Sequence, residues 1–391
     1  MGPGWGLNSR LGKAIQEGEL IRENEGSVYE RLGAQPAINA GGNTTTWGGS
    51  KLSRAASRAM EMANGAWVEM AELHEVAGEL IAEIIGVDAA YVTAGCYSAM
   101  ALSAAACIAG NDPEKRTRLP DTTGMKNEIL LPRPHRYGFA RAYLVPGGRL
   151  VEVGDDEACS PEQLDVAIGD NTAAVAYFVM PDWPTTVLSL DQAVEVAHAR
   201  DVPVIADAAS RNYPLDYFRQ TAQSADLVCF SGKYLGAHQS TGFVCGKSDL
   251  VRAASAQGFP FGRAMKLDRQ EIVGLVVAVE EWFSMNHEDR FASYGKKFDT
   301  IEDSLQGLPT IRRVGVERVA RFPGVMLLAR LDLETLGKTV QEVIAEMREG
   351  NPGIRVLPEG TDGLNINVHT LNDGEEQVVA ERLKAVLGGE S

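Results

Sequence analysis

Lys233 is the residue whose position could support the most distinctive chemistry. It lies in FSGKYLGAHQSTG (230–242), two residues after Ser231 at the end of the apolar run ADLVCFS. In an open α/β sheet, ligands bind beyond the carboxyl ends of the strands. A desolvated amine there can attack a carbonyl and form a Schiff base. The alternative interpretation is an ordinary solvated lysine, which most lysines are.

Asp207 ends another apolar run, VPVIAD (202–207). A carboxylate at a strand tip can accept the proton of a pyridinium nitrogen and keep that ring cationic. Pyridoxal 5'-phosphate (PLP) chemistry requires this tuning, because the protonated ring is the electron sink. The alternative is a carboxylate that only caps the following turn, Asp-Ala-Ala-Ser.

Two further segments follow predicted strands. In VTAGCYSAM (92–100), a strand leads through Ala94, Gly95, Cys96 and Tyr97 into a helix, and Ser98 adds a hydroxyl. Backbone N–H groups at a helix N-terminus bind phosphate, although many such turns bind nothing. His135 follows the run EILL, and its ring could stack on a flat cofactor or belong to an ordinary loop.

The candidate residues all lie at or just after the ends of predicted strands. These strands are predicted from apolar runs in the sequence. The predicted strands lie at 89–93, 128–131, 149–153, 173–180, 202–207, 225–231 and 242–246. Helical patterns at 98–110, 160–169 and 189–201 separate several of them. The alternation predicts an α/β fold with a mostly parallel sheet covered by helices on both faces.

The flanking segments predict two further regions. A helical pattern over 53–85 ends at Gly86, where a glycine suits a helix C-terminus. After residue 250, helices are predicted at 268–285, 288–306, 334–349 and 375–387, with strands at 310–316, 325–332, 354–357 and 364–368. We therefore predict an N-terminal arm and substrate-side loop (1–50), a large α/β domain (51–290) and a small C-terminal α+β domain (291–391).

Composition excludes several classes of protein. The 391 residues carry 37 Lys and Arg against 53 Asp and Glu, a net charge of −16, which argues against a nucleic-acid partner. The 5 cysteines are scattered without a CxxC pair, so neither a disulfide framework nor a metal site is expected. We find no long apolar span and no secretory signal, and we expect a cytoplasmic protein without a membrane partner.

Phosphate turn, histidine, aspartate and Ser-x-Lys occur here in the order of a known family. The chain resembles the fold type I, PLP-dependent, aminotransferase-class-V-like enzymes, in the branch related to selenocysteine synthase (seryl-tRNA selenium transferase) and D-glucosaminate-6-phosphate ammonia-lyase. The matching stretches include PAINAGGNTTTWGGS (36–50), EMAELHEVAGELIAEIIGVDAAYVTAGCYSAMALSAAACIAG (69–110), PHRYGF (134–139), VIADAAS (204–210), DLVCFSGKYLGAHQSTGFVCG (226–246) and FGRAMKLDRQEIVGLVVAVE (261–280). The segment around Lys233 and the loop GRAMK are the specific ones.

The resemblance implies a role for each residue. Lys233 would form the Schiff base, Asp207 would face the ring nitrogen and His135 would lie on the ring face. The other implied cofactor-binding residues are Gly95, Cys96, Tyr97, Ser98, Ser210 and Ser231. The implied substrate-side residues are Asn39, Thr44, Gly49, Arg263 and Lys266, and Gln239 and Ser240 follow the lysine where a partner subunit often reaches the phosphate.

The expected reaction is removal of an α-proton and a β-substituent from a small anionic amino compound, with release of ammonia and a 2-oxo product. The alternatives are transamination, racemisation, C–S bond cleavage, a selenium-transferase-like reaction, or a catalytically silent binding protein on the same fold. A tRNA substrate is disfavoured by the acidic charge. The resemblance also implies a homodimer or a larger homo-oligomer.

Overall fold

The computed structural model describes residues 27–180, 182–318 and 325–388, which form two compact units. The large unit contains residues 43–286, and the small unit contains residues 27–42, 287–318 and 325–388, apart from the positions outside the described ranges. Each unit is built around its own sheet. The N-terminal arm predicted over 1–50 lies outside the described residues as far as residue 26.

The strands of both units are numbered here in chain order. They are β1 (Ala37–Asn39), β2 (Ala89–Thr93), β3 (Glu128–Pro132), β4 (Arg149–Val153), β5 (Thr172–Phe178), β6 (Val204–Asp207), β7 (Leu227–Ser231), β8 (Gly242–Gly246), β9 (Ile311–Arg318), β10 (Val325–Leu331), β11 (Gly353–Arg355), β12 (Leu357–Glu359) and β13 (Gly363–Ile366).

The helices are numbered in the same way. They are α1 (Val28–Leu32), α2 (Arg54–Asn64), α3 (Met70–Ile85), α4 (Gly95–Ala109), α5 (Pro113–Arg118), α6 (Pro161–Ala167), α7 (Leu190–His198), α8 (Leu215–Gln223), α9 (Ser248–Ala256), α10 (Arg269–Ser284), α11 (His287–Leu305), α12 (Leu333–Leu336), α13 (Val340–Glu349) and α14 (Glu375–Leu387).

The large unit has a seven-stranded sheet in the order β2-β8-β7-β6-β5-β3-β4. Neighbouring strands from β7 to β4 are parallel, whereas β8 runs antiparallel to both β2 and β7. The reason is the connection: only residues 232–241 join β7 to β8, and a parallel crossover needs about a dozen residues or more. This short return carries Lys233. The prediction of a mostly parallel sheet is confirmed.

Helices cover both faces of this sheet. Along β5, Ala174 and Ala176 pack into one apolar cluster, whereas Val175 and Tyr177 pack into the other. Alternate side chains of a strand point to opposite faces, so a run without polar residues is buried on both. Helix α4 lies almost wholly inside the cluster that contains Ala174 and Ala176, which explains its alanine-rich composition.

The small unit has a four-stranded antiparallel sheet in the order β12-β13-β10-β9, and β1 pairs with β11 in parallel. Apolar side chains from helices α11, α13 and α14, including Phe298, Val343 and Leu383, pack with the sheet into one core. Within the described ranges, no helix combines the length and the apolar character needed to cross a bilayer.

Some predicted boundaries were wrong. The helix expected from residue 98 begins at Gly95, because Gly95 with φ +81° starts the turn directly after β2. The helix expected over 334–349 divides into α12 and α13, because Gly337 ends the first in a left-handed conformation and Thr339 caps the second. Helices α8 and α9 were not predicted. The domain boundaries at residues 50 and 290 stay a prediction about independent folding.

Candidate active site

The buried carboxylate of Asp207 is the electrostatic centre of the candidate site. Asp207 is the last residue of β6 and is 3% exposed. Its Oδ1 atom accepts hydrogen bonds from the Ala209 N–H at 3.0 Å and the Cys96 thiol at 3.5 Å, and its Oδ2 atom accepts one from the Tyr137 hydroxyl. Burial raises the pKa of Asp207, and these hydrogen bonds offset only part of that rise.

These three donors leave the carboxylate incompletely satisfied. A carboxylate offers about four acceptor positions on its two oxygens. Two donors occupy Oδ1 of Asp207 and one occupies Oδ2, so an acceptor position on Oδ2 is left over. A cationic N–H group would both fill that position and compensate the buried charge.

Lys233 lies on the short turn Gly232–Leu235 that follows β7. Its Nζ atom donates to the Thr45 hydroxyl at 3.0 Å and lies 5.1 Å from the centre of the Tyr234 ring. Partial burial lowers the pKa of Lys233, and the nearby Cys96 sulfur acts in the opposite direction. The side chain is therefore a half-buried amine that is easier to deprotonate than a surface lysine.

The loop at residues 43–50 packs closely against the lysine turn. The Asn43 amide donates to the carbonyl oxygens of Gly49 and Lys233 at 3.1 and 3.0 Å. Gly49 has φ +71°, and a Cβ atom there would lie 2.6 Å from Gln239 Cβ and 3.4 Å from Lys233 Cδ. Only glycine fits such an approach, so the predicted substrate-side residue Gly49 lies beside the lysine stem.

Thr44 was predicted at this wall, but the structure brings its neighbour Thr45 to the amine. Thr44 is the residue before the short turn Thr45–Trp47, whereas the Thr45 hydroxyl accepts from Lys233 Nζ. Asn39 lies in β1 of the small unit, where its side chain bonds to the backbone of Gly41 and Gly42. A substrate role for Thr44 and Asn39 stays a prediction.

Helix α4 begins at the predicted phosphate turn. Ala94, the residue before the helix, supplies no side-chain cap, so the first N–H groups of the helix are not occupied by a capping side chain. A Cβ atom on Gly242 would lie 2.8 Å from the Cys96 nitrogen, so β8 also needs glycine at this point. Uncapped N–H groups and the helix dipole together favour an anion here.

The residues of this turn point in different directions. Tyr97 is 41% exposed, and the Ser98 hydroxyl donates to the Ala94 carbonyl at 2.8 Å. A phosphate contact for Cys96 stays a prediction, and its thiol donates to Asp207. Burial, followed by the charge of Asp207, raises the pKa of Cys96 well above its ordinary value. Cys96 is therefore a neutral donor.

His135 lies in an aromatic cluster and is fully buried. Its ring stacks on Trp183 at 4.3 Å and meets the Tyr177 edge at 4.4 Å, while Nδ1 accepts from the Phe178 N–H at 3.4 Å. Burial lowers the pKa of His135 to about 3, so its ring is neutral. Its predicted place on the face of the cofactor stays a prediction.

Tyr137 and Arg211 belong to the site but were not predicted. Tyr137 stands two residues after His135 in PHRYGF, and a partly buried phenol next to a strand-end histidine has no sequence signature of its own. Arg211 is 4% exposed, donates to the Ser210 hydroxyl at 2.8 Å, and has its pKa lowered by burial. Ser210 is thus engaged by Arg211, while Ser231 is buried at the end of β7.

Arg263 and Lys266 are exposed, on and just after the turn Phe261–Met265. The adjacent Gly262 packs near Leu102, in the middle of α4, rather than at the N-terminus of that helix. Ser240 bonds to His238 and Glu271 beside the lysine turn, and Gln239 Oε1 is buried with no hydrogen-bond partner among the described residues. The large unit therefore brings Lys233, Asp207, Cys96 and Gly49 together, but not Arg263 or Lys266.

Comparison with known proteins gives relatives over nearly the whole chain, although no protein-family model matches it. The chain is 33% identical over 370 residues to a 5'-C-glycyluridine monooxygenase-decarboxylase from Streptomyces sp, covering 92% of each protein. It is 28% identical over 369 residues to D-glucosaminate-6-phosphate ammonia lyase from Salmonella typhimurium (strain 14028s / SGSC 2262), covering 92% of this chain and 98% of that protein. An L-seryl-tRNA(Sec) selenium transferase from Moorella thermoacetica is 24% identical over 455 residues, covering 99% of this chain and 91% of that protein.

Solved structures agree with these relatives. A structure of D-glucosaminate-6-phosphate ammonia-lyase matches with a TM-score of 0.81 and 29% identity, covering 93% of this chain and 98% of the other. Sphingomonas wittichii serine palmitoyltransferase matches with a TM-score of 0.55 and 13% identity over 90% of this chain and 87% of the other, a likeness of fold alone.

Proposed function

The chain belongs to the fold type I family of PLP-dependent enzymes, in the branch of the ammonia-lyase and the seryl-tRNA selenium transferases, and we propose that it is a PLP-dependent ammonia-lyase. One observation carries the proposal: the buried Asp207 carboxylate, with an acceptor position left on Oδ2, shares a unit with the half-buried amine of Lys233. The ammonia-lyase structure matches this chain at a TM-score of 0.81, which favours that reaction class.

The residues present fit PLP. The unfilled acceptor position of Asp207 suits a pyridinium N–H, and the uncapped N-terminus of α4, with Gly95 at its first position, suits a phosphate. Lys233 would hold the cofactor covalently, and Ser98 and Ser231 would lie at the phosphate end. When bound, PLP supplies an electron sink that makes the hydrogen on the substrate α-carbon acidic.

Lys233 would accept that proton. A general base works best when its pKa lies near the working pH, and burial lowers the pKa of Lys233 towards that range. The Thr45 hydroxyl, 3.0 Å from Nζ, holds the amine in one direction, and Gly49 keeps the loop against the lysine stem. The substrate thereby loses its α-proton to Nζ.

The net reaction balances without a second substrate. Loss of the α-proton and a β-hydroxyl removes one water, and hydrolysis of the resulting enamine returns one water and gives a 2-oxo product and ammonia. The substrate would be a small anionic amino compound such as an amino sugar acid or a hydroxy-amino acid. The family resemblance of the loop GRAMK, and not the position of that loop within this unit, supports our proposal that Arg263 binds the anionic group of the substrate, with Lys266 nearby in sequence and Thr44 on the substrate side.

A second candidate reaction is oxidative decarboxylation. The 33% identity to a 5'-C-glycyluridine monooxygenase-decarboxylase favours it, because that relative covers the same 92% of the chain. In that case an α-amino acid would lose CO₂ and O₂ would be consumed. The two reactions differ in products, so they can be separated directly.

The experiment is a product analysis of the PLP-loaded enzyme with D-glucosaminate 6-phosphate, 5'-C-glycyluridine and serine, in air and without oxygen. The proposal expects ammonia and a 2-oxo acid without an added keto acid, equally in both atmospheres. CO₂ that forms only in air would instead support oxidative decarboxylation, and ammonia transfer only with a keto acid would mean transamination. Lys233→Ala is the matched control, and wild-type protein that binds no PLP covalently would indicate a catalytically silent binding protein.

We also propose that the enzyme is a cytoplasmic homodimer. Large apolar side chains are exposed along α2, α3 and the loop between them: Met62 at 70%, Trp67 at 90%, Val76 at 45% and Leu80 at 42%. A second copy would cover such a surface. The five cysteines are all unpaired, which suits a reducing compartment. Sedimentation at two protein concentrations tests the dimer.

A further inference from the structure

The ring of Tyr137 is held beside Asp207 by the neighbouring strand. Phe178, the last residue of β5, is the register partner of Asp207 in β6. The Tyr137 ring stacks on the Phe178 ring at 4.4 Å with an interplanar angle of 12°, and its hydroxyl donates to Asp207 Oδ2. The sheet therefore fixes the two residues, Phe178 and Asp207, that the Tyr137 side chain contacts.

A second phenol lies behind the first. Tyr143 is at the end of the 3₁₀ helix Gly138–Leu144, for which Tyr137 is the residue before the first turn. Tyr143 is 1% exposed, and its hydroxyl lies close enough to that of Tyr137 for each phenol to affect the pKa of the other. Two phenols, one partly buried and one fully buried, thus lie near the Asp207 carboxylate.

Both phenols are protonated at any working pH, because burial is the main cause that raises the pKa of Tyr137 and of Tyr143. A protonated phenol can only donate to the carboxylate. A hydrogen bond to the ionised form of an acid lowers its affinity for a proton. The Tyr137 hydroxyl therefore acts directly on the oxygen that has an acceptor position left for a ring N–H.

We propose that Tyr137, backed by Tyr143, is a positioning residue that lowers the proton affinity of Asp207 so that the shared proton stays on the cofactor ring nitrogen. The inference rests on the PLP dependence proposed above, but not on which reaction follows. Without the Tyr137 hydroxyl, Asp207 is a stronger base, and the proton moves from the ring nitrogen towards the carboxylate. The electron sink is weakened while the cofactor stays in place.

The test is nitrogen-15 NMR of ring-labelled PLP bound to the wild type, Tyr137→Phe, Tyr143→Phe and Tyr177→Phe. We expect the ring-nitrogen resonance of Tyr137→Phe to move towards the value of an unprotonated pyridine, with a smaller movement in the same direction for Tyr143→Phe. Tyr177 is the matched control, because it is a buried tyrosine whose hydroxyl donates to the Leu188 carbonyl at 3.2 Å and not to Asp207. Its variant should leave the resonance unchanged.

Unchanged resonances in both Tyr137→Phe and Tyr143→Phe would overturn the inference. If Tyr137→Phe does not fold or load, which a thermal melt and a cofactor titration would show, the resonance of Tyr143→Phe decides alone. Absence of covalently bound PLP in the wild type would refute the proposed function instead, so the two failures are distinguishable. A merely structural role of the phenols would change the melt and leave the ring-nitrogen resonance in place.

Discussion

The substitution Asp207→Asn removes the negative charge of the site while keeping its packing, so it tests the effect of the charge alone. Asparagine has the same shape as aspartate, and its amide oxygen can keep the Ala209 N–H and Cys96 contacts on the Oδ1 side. Its NH₂ group would replace Oδ2, where it donates instead of accepting. The Tyr137 hydroxyl can turn to accept from it, and an unprotonated ring nitrogen can accept its second hydrogen.

The expected loss is therefore electronic. We expect Asp207→Asn to bind PLP but to slow turnover by about 10²-fold or more, which corresponds to roughly 3 kcal/mol of transition-state stabilisation. Asp207→Ala should lose the same rate and also stability, because it leaves up to three donors without an acceptor in a site that is 3% exposed. Each buried group left unsatisfied costs about 1–3 kcal/mol.

Asp226→Asn is the matched control. Asp226 is also buried, at 2% exposure, but it lies directly before β7, at the opposite end of that strand from Lys233. It accepts from Lys247 Nζ at 2.6 Å, from His198 and from the Val204 N–H. Its substitution should lower the melting temperature without changing kcat or the spectrum of bound PLP.

The assay measures kcat, kcat/KM and the visible spectrum of each variant after loading with PLP, together with a thermal melt. An Asp207→Asn enzyme with wild-type kcat would refute the assignment of Asp207 to the ring nitrogen. Equal losses of kcat in Asp207→Asn and Asp226→Asn would refute it too, because the effect would then follow from buried carboxylates in general.

The remaining predictions concern four other residues. Lys233→Ala should abolish turnover, and borohydride reduction with peptide mapping should label Lys233 in the wild type; a label on Lys247 or Lys266 would contradict this. Arg263→Lys should raise KM and cost about 1.5–3 kcal/mol in kcat/KM, because an ammonium cannot form the two parallel hydrogen bonds of a guanidinium. Unchanged kinetics would instead favour Arg355, whose Nη1 atom is buried without a partner among the described residues. Gly49→Ala should cost about 1–3 kcal/mol more in stability or activity than Gly48→Ala. Gly48 is the control, because it has a similar φ of +88° but open space around it. Equal effects in the two variants would mean that backbone strain, and not the contact with Gln239 and Lys233, causes the loss. Burial alone would raise the pKa of Asp226, but hydrogen bonds from Lys247, His198 and Val204 lower it. Ionised Asp226 should therefore stabilise the fold above its unfolded pKa of about 3.9, and this stability should be lost on acidification. Between pH 6 and pH 3, the melting temperature of the wild type should fall more steeply than that of Asp226→Asn.

The sheet could be predicted from the sequence because its strands are buried on both faces. Continuous apolar runs such as 173–180 and 225–231 have few other stable arrangements, and the structure contains strands at Thr172–Phe178 and Leu227–Ser231. The positions of Asp207 and Lys233 follow, because each stands at or just after the end of such a run. Strand ends are thus the part of an active site that patterning reveals.

The orientation of side chains could not be predicted in this way. The turn Gly95–Ser98 was predicted as a whole, yet only the structure shows that the Cys96 thiol reaches Asp207. The position of the Tyr137 side chain depends on the register between β5 and β6, which places Phe178 beside Asp207. No local sequence pattern links residues 137 and 207, so their contact can be predicted only once the strand order is known.

The strand order also explains why Lys233, the proposed catalytic residue, lies on a short turn and not in a long loop. Because β8 must return antiparallel beside β7, the ten positions between them are confined between two buried strands, and the backbone of Gly232 bonds across to Thr241 at 2.9 Å. The lysine stem is then fixed from one side by the turn and from the other by Gly49 and Asn43. A lysine that both holds a cofactor and moves a proton needs a flexible side chain on a rigid backbone. The short turn between β7 and β8 supplies that rigid backbone.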